Sequence, residues 1–437
     1  MSGNGFTLTN YGTISGGNGG NGGAGGAGGA GGAGGAGGAG VSGNGFTLTN
    51  YGTIKGGNGG LGGAAGTGGT AGVGGLGGAG VISTGNSTVI NSGTIEGGFA
   101  NGGKGAQADA VDFSGGGNNL VLEAGYTFSG NVVSTSGTTN GGDTLILGGT
   151  ANATFDVTNV VASITGSPTV TQYSGFNHLV ENAGTTTTWT VTGTNTSGLG
   201  WNLNGGTLSV ASVNSLGNTY PLTFNGGTLQ TTGSMTDAQA VTLYANGGSI
   251  DTAGQSDTFS GAFGGTGGLT VESSTSGGIL TLSGQNLYTG STTVKSGSTL
   301  TIKGSLANSN ITIDSSATVN GSGIITFNLA GNNSDLITDD GTLNINGLTL
   351  ALDITGSQTQ HEYVIANYTS GTLLGQAFSS VTGLQPNWSI TYGTTQPGEI
   401  LLMNTAVPEP TSVALLFTGV LGLSLFTRRR KIARIEN

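Results

Sequence analysis

A glycine pair followed by one polar and one aliphatic residue recurs at fixed spacing in the middle of this chain. Gly205-Gly206-Thr207-Leu208, Gly226-Gly227-Thr228-Leu229 and Gly247-Gly248-Ser249-Ile250 lie 21 residues apart, and another pair follows at Gly267-Gly268. A period near twenty is one coil of a β-solenoid, whose strands stack about 4.8 Å from those of the next coil. The spacing predicts Leu208, Leu229 and Ile250 superposed in one inward column, with the glycine pairs turning the same corner. No coil covers its own apolar face, so stability grows through neighbours, roughly 1.5–3 kcal/mol for each stacked Leu or Ile. Asn225 and Asn246, beside equivalent turns, are expected to form an amide ladder with a structural role.

A longer period governs the N-terminal quarter. Residues 2–14 recur unchanged at 42–54, and Asn91-Ser92-Gly93-Thr94-Ile95 repeats the end of the motif. Phe6, Leu8 and Ile14, like Phe46, Leu48 and Ile54, alternate with polar neighbours as a one-sided strand requires. The Gly-Gly-Ala and Gly-Gly-Asn tracts between them bury too little apolar surface to offset backbone ordering, so loose loops leaving the rungs are expected. Their three-residue period also permits packed polyproline-like helices; without proline, collagen is excluded. Met1 stands where Val41 stands in the repeat, which leads us to expect a natural N-terminus upstream.

Composition agrees with strands and turns. Of 437 residues 94 are glycine and 7% are charged, and cysteine is lacking, which removes disulfides and thiolate chemistry. Residues 1–406 carry eighteen acids against the four bases Lys55, Lys104, Lys295 and Lys303. Such a body repels nucleic acid.

Candidate chemistry is sparse. His178 and His361 lack metal-ligand spacing, and His361-Glu362 has no second histidine to complete a zinc helix. Asp339-Asp340-Gly341 reads as a turn, and Gly141-Gly142-Asp143-Thr144-Leu145 as a structural turn sharing half of a calcium nonapeptide. We expect no catalytic residue, no metal and no cofactor. A polysaccharide-degrading β-helix is the enzymatic alternative, but four lysines leave little to neutralise a uronate or an enolate. An ice- or mineral-binding solenoid is another; Thr281, Thr299 and Thr301 supply pieces of a threonine row, with no repetition at one register visible.

Gly264-Gly265-Thr266-Gly267-Gly268-Leu269-Thr270, Gly278-Ile279-Leu280-Thr281-Leu282-Ser283-Gly284 and Tyr288-Thr289-Gly290-Ser291-Thr292-Thr293-Val294 closely resemble the autotransporter-associated β-strand repeat. With Asn119 to Asp156, Gly175-Phe176 and Trp189-Thr190-Val191, the resemblance covers about residues 110–403. It implies a right-handed parallel β-helix displayed outside the cell, often in adhesion or aggregation. Nothing after residue 400 resembles a translocator barrel, so the tail supplies a different export route.

That tail consists of Val407-Pro408-Glu409-Pro410, an apolar run, and the basic cluster Arg428, Arg429, Arg430 and Lys431. As a helix, 411–427 spans about 26 Å, slightly less than the roughly 30 Å bilayer core, and snorkelling arginines cover the deficit. The basic end is expected in the cytoplasm and residues 1–406 across the membrane. The three parts resemble the PEP-CTERM sorting signal, which implies recognition by an exosortase and removal of the tail near the motif.

The expected fold is therefore all-β: a right-handed parallel β-helix with Gly-rich loop insertions and one C-terminal transmembrane-type helix. Its expected regions are Gly-rich repeats at 1–105, an irregular solenoid at 106–200, an autotransporter-repeat solenoid at 201–406 and the tail at 407–437. The expected function is a non-enzymatic cell-envelope or matrix protein, anchored by 411–427 before processing by an exosortase. It would contact extracellular polysaccharide or neighbouring cells through many weak interactions, including those of Trp201 and Tyr288.

Overall fold

The computed structural model describes residues 1–162, 170–217, 220–307, 310–369, 373–375, 377–393 and 398–406. Within these residues the chain is all-β, with short, mostly parallel strands of two to seven residues. Such strands suit runs of Thr, Val and Ile that are broken every few residues by Gly, Asn or Ser. Leu8 pairs with Leu48, Leu48 with Val89, Val89 with Leu120, and Leu120 with Leu145. Trp189, Leu208, Leu229, Ile250, Val271 and Val294 form another column, each paired with the next, and all six are fully buried.

One ten-stranded sheet runs from Thr7–Asn10 to Phe263–Gly265 and a twelve-stranded sheet begins at Ala153–Asp156, with strands added in chain order, one pass at a time. Sheet order that follows chain order at intervals of one pass is consistent with a solenoid. The pattern ends at Glu362–Tyr368, which pairs antiparallel with Glu399–Asn404, itself antiparallel to Trp388–Tyr392. This switch ends the parallel stacking at the C-terminal side. The apolar segment 411–427, the motif 407–410 and the basic cluster 428–431 lie outside the described residues. Among the described residues no helix is long and apolar enough to cross a membrane.

The Gly-rich tracts correct the expectation of loose loops. Residues 16–26 run outward, turn at Ala27-Gly28 and return along 29–40; 56–80 repeat the path alongside them. Within the first arm Gly32 N–H donates to Gly23 O and Gly35 to Gly20, and between arms Gly19 donates to Asn58 O and Gly60 to Gly35 O, all at 2.8 Å. This is the period-three, polyproline-like packing that the sequence also permitted: hydrogen bonds link neighbouring segments instead of lying within one. Backbone pairing replaces the missing apolar burial, and glycine makes the approach possible. A methyl on Gly60 would lie 2.0 Å from the Gly20 carbonyl oxygen.

The core also accommodates polar groups in register. Asn10 Nδ2 donates to Asn50 Oδ1, and Asn50 Nδ2 to Asn91 Oδ1, both at 2.8 Å. The same column then continues through Leu122, Leu147, Glu181 and Leu203. Glu181 is fully buried between two leucines; its Oε1 accepts from Ala183 N–H at 3.0 Å, while Oε2 lacks a partner. Burial pushes this carboxyl up to about 8, against the opposing pull of the Ala183 and Gly205 N–H groups. Burial likewise raises Asp237 and Asp257.

Two outcomes follow from this packing. Gly60→Ala is expected to cost about 1–3 kcal/mol through overpacking, whereas Gly20→Ala, with nothing within 4 Å of the added carbon, should leave the melting temperature nearly unchanged. Because the folded pKa of Glu181 exceeds its ordinary 4.5, stability is fullest below that pH and falls as pH rises towards about 8. Glu181→Gln should therefore flatten the decline in unfolding free energy between pH 5 and 8, by an amount of order a few kcal/mol, read from denaturant unfolding at each pH. Identical pH profiles for the two chains would refute the burial argument.

Candidate functional site

The most regular outward feature is a hydroxyl row along the twelve-stranded sheet. Thr188 pairs in register with Thr207, and the row continues through Thr228, Ser249, Thr270, Thr293 and Thr312 to Thr338. Every member is partly or fully exposed. The row arises because each residue from Thr188 to Thr312 precedes an inward aliphatic or aromatic residue, and Thr338 precedes the buried Asp339: burying Leu208, Leu229 and Ile250 turns Thr207, Thr228 and Ser249 outward. This corrects the sequence expectation that threonine lacks repetition at one register. Thr281 and Thr301 also pair with each other, and Thr299 pairs with Thr318.

Two residues further along each strand runs a polar row. Ser209 Oγ donates to Gln230 Oε1, and Gln230 Nε2 to Asp251 Oδ2, both at 2.9 Å. Burial raises the Asp251 carboxyl, but the Gln230 amide and the N–H groups of Ser274 and Ala253 outweigh it and leave the group below its ordinary value. The neighbouring Glu272 is raised, first by burial and then by the Asp251 charge, with Lys295 pulling the other way. Lys295 also pairs with Asp314 at 3.3 Å. Beside the hydroxyl row lies an open groove of ≈ 270 Å³, lined in part by Asn246, Ser249, Thr270, Ser291 and Thr293 and by no ionisable side chain.

The other candidate positions have structural surroundings. Asp143 is buried: Oδ1 accepts from the backbone and side-chain N–H groups of Asn118, and Oδ2 accepts from Ser134 and Ser136 hydroxyls at 2.8 and 3.0 Å. Its lone pairs are thus occupied by protein donors. Asp339 Oδ1 accepts from Gly341 N–H at 3.0 Å, closing the turn. Exposed His178 meets the Gly141 carbonyl at 3.1 Å, and His361 lies 4.0 Å from Glu362. Among the described residues no group of three His, Cys, Asp or Glu could hold a metal ion.

Two further expectations are corrected. Asn225 and Asn246 form no side-chain ladder: Asn246 backbone N–H meets Asn225 Oδ1 at 3.4 Å, and the amide ladder lies instead at Asn10, Asn50 and Asn91. Trp201 and Tyr288 are buried, with Trp201 Nε1 donating to Ser215 O and the Tyr288 hydroxyl bonded to Thr292 Oγ1. Among the described residues the exposed aromatic surface comes from Tyr11 and Tyr51, stacked 5.0 Å apart on successive rungs, and from Phe99, Tyr220 and Tyr244. The repeated Asn-Tyr-Gly-Thr-Ile was the signal for that pair.

The tail carries the comparison that bears on function. No curated protein and no solved structure matches the chain. Residues 406–431 match the PEP-CTERM protein-sorting motif, which implies export to the cell envelope or surface and sorting by an exosortase-type system.

Proposed function

We propose that this is a non-enzymatic surface or matrix protein: a right-handed parallel β-helix of the autotransporter-associated repeat type, held at the inner membrane by 411–427 until an exosortase removes the tail. Support for the handedness comes from the family resemblance and from the right-handed preference of parallel β connections. The mature body contacts exopolysaccharide or neighbouring cells through adhesive faces. The observation that carries this reading is the hydroxyl row from Thr188 to Thr338, repeated once per rung over eight rungs. At about 4.8 Å per rung it extends over roughly 34 Å, long enough for several sugar residues to bind at once. The Tyr11–Tyr51 stack adds an amphipathic surface suited to sugar rings.

Catalysis fits poorly with these surroundings. The groove beside the row has no ionisable lining residue, so it offers neither a general acid nor a base. A second reading, binding to ice or a mineral lattice, draws support from the same regular spacing.

Two experiments separate these readings. With a tag inside the body, fractionation and mass spectrometry should find an envelope or extracellular product ending before Thr411; a stable inner-membrane product with its tail intact would defeat the processing step. Replacing Thr228, Thr270 and Thr293 together with Val removes three hydroxyls while keeping shape and strand preference. At about 0.5–1 kcal/mol for each lost hydrogen bond, retention on the producer's exopolysaccharide should weaken roughly ten- to a hundredfold. Unchanged retention, with ice or mineral growth altered by the parent and not by the variant, would select the lattice reading.

A further inference from the structure

The corner between the ten- and twelve-stranded sheets gives the hydroxyl row a chemical preference. On successive passes the strands of the ten-stranded sheet end at Glu181, Leu203, Phe224 and Leu243, which pair in register. The next residue, on the outside of the corner, is Asn182, Asn204, Asn225 and then Tyr244. A glycine pair leads from the corner to the hydroxyl row in Gly205-Gly206-Thr207, Gly226-Gly227-Thr228 and Gly247-Gly248-Ser249. Gly206, Gly226 and Gly247 have φ of +52°, +112° and +67°. That backbone strains any other residue, so the turn that joins the sheets also keeps its outer surface free of side chains.

The missing side chains leave the open groove, which crosses four passes from Gly226 through Asn246 and Thr270 to Thr293. At about 4.8 Å per pass it follows the solenoid axis for roughly 14 Å. Its lining amides and hydroxyls, among them Asn246, Ser249, Thr270 and Ser291, both donate and accept, as sugar hydroxyls do. Tyr244, 54% exposed, adjoins the lining residue Ala245, and its carbonyl closes the turn by accepting from Gly247 N–H at 2.7 Å. It supplies an aromatic ring at the edge of the groove, a surface on which a sugar ring can lie. Leu269 is buried, so the groove offers no aliphatic pocket in which a protein partner could anchor.

Charge lies on the other side of the hydroxyl row. Asp251 and Glu272 pair in register there, and Lys295 is engaged with Asp314 at 3.3 Å. A polyanion in the groove would face these carboxylates while the lysine of that row is already paired.

We propose, resting on the adhesive reading above, that this glycine-cornered groove binds an uncharged polysaccharide lying along the solenoid axis. Its sugar hydroxyls bond to Asn246, Ser249 and Thr270, one ring lies against Tyr244, and polyanionic chains are rejected.

The test measures retention of the full chain on the producer's exopolysaccharide and on the same polymer after carbodiimide activation and borohydride reduction of its carboxyl groups. Retention on the reduced polymer should equal or exceed that on the native one and should not fall between about 0.05 and 0.5 M salt. Tyr244→Ala and Asn246→Ala, both at exposed positions, should each weaken it roughly five- to tenfold with the melting temperature unchanged. Retention that falls on reduction or with rising salt overturns the proposal. So does retention that ignores both alanines but is lost in the Thr228→Val, Thr270→Val, Thr293→Val chain, a result that leaves adhesion through the row standing. Absence of retention on either polymer overturns the groove and the adhesive reading together.

Discussion

In-register backbone hydrogen bonding between passes 20 to 40 residues apart is the constraint on which the rest of this structure depends. A pass has no core of its own; it acquires one only when its inward side chains lie on those of the next. Register therefore decides every other property. A one-residue slip would turn Leu229 outward and bring Thr228 into the apolar column. The antiparallel end at Glu362–Tyr368, Glu399–Asn404 and Trp388–Tyr392 makes this dependence visible where parallel stacking stops.

The same constraint explains how the molecule accommodates groups that an ordinary core excludes. The amides of Asn10, Asn50 and Asn91 satisfy one another because identical residues are superposed. Asp143 succeeds differently, gathering donors from Asn118, Ser134 and Ser136. Glu181 lies between Leu147 and Leu203 with one oxygen unpartnered, so burial favours its protonated form. A superposed polar column is harmless when every member has a partner and costly when one lacks it.

The proposed function rests on repetition and address. The sorting motif at 406–431 directs the chain to the envelope, and the body offers long faces on which one chemical group recurs at each pass. In the function proposed above, hydroxyl groups spaced by the rung supply individually weak contacts that multiply along an extended ligand. The charge distribution fits such a role, since an acidic body with four lysines depends little on attracting anions.

Much of this was legible in the residues because it is periodic along the chain. The 21-residue spacing identified Leu208, Leu229 and Ile250 as partners, and the tail carried its motif in consecutive residues. Composition misjudged the Gly-rich arms, because the backbone bonds that hold them, such as Gly60 N–H to Gly35 O, join segments distant in sequence. Trp201 and Tyr288 read as surface aromatics for a similar reason: their partners Ser215 and Thr292 are set by turn geometry that residue type does not encode. The sequence alone determined the strand-and-turn class, the coil length and the address, since each is written in local order or in a fixed period. The tertiary structure decided which polar rows face outward, how the glycine arms pack and which carboxyls are buried, since those depend on register between neighbouring passes.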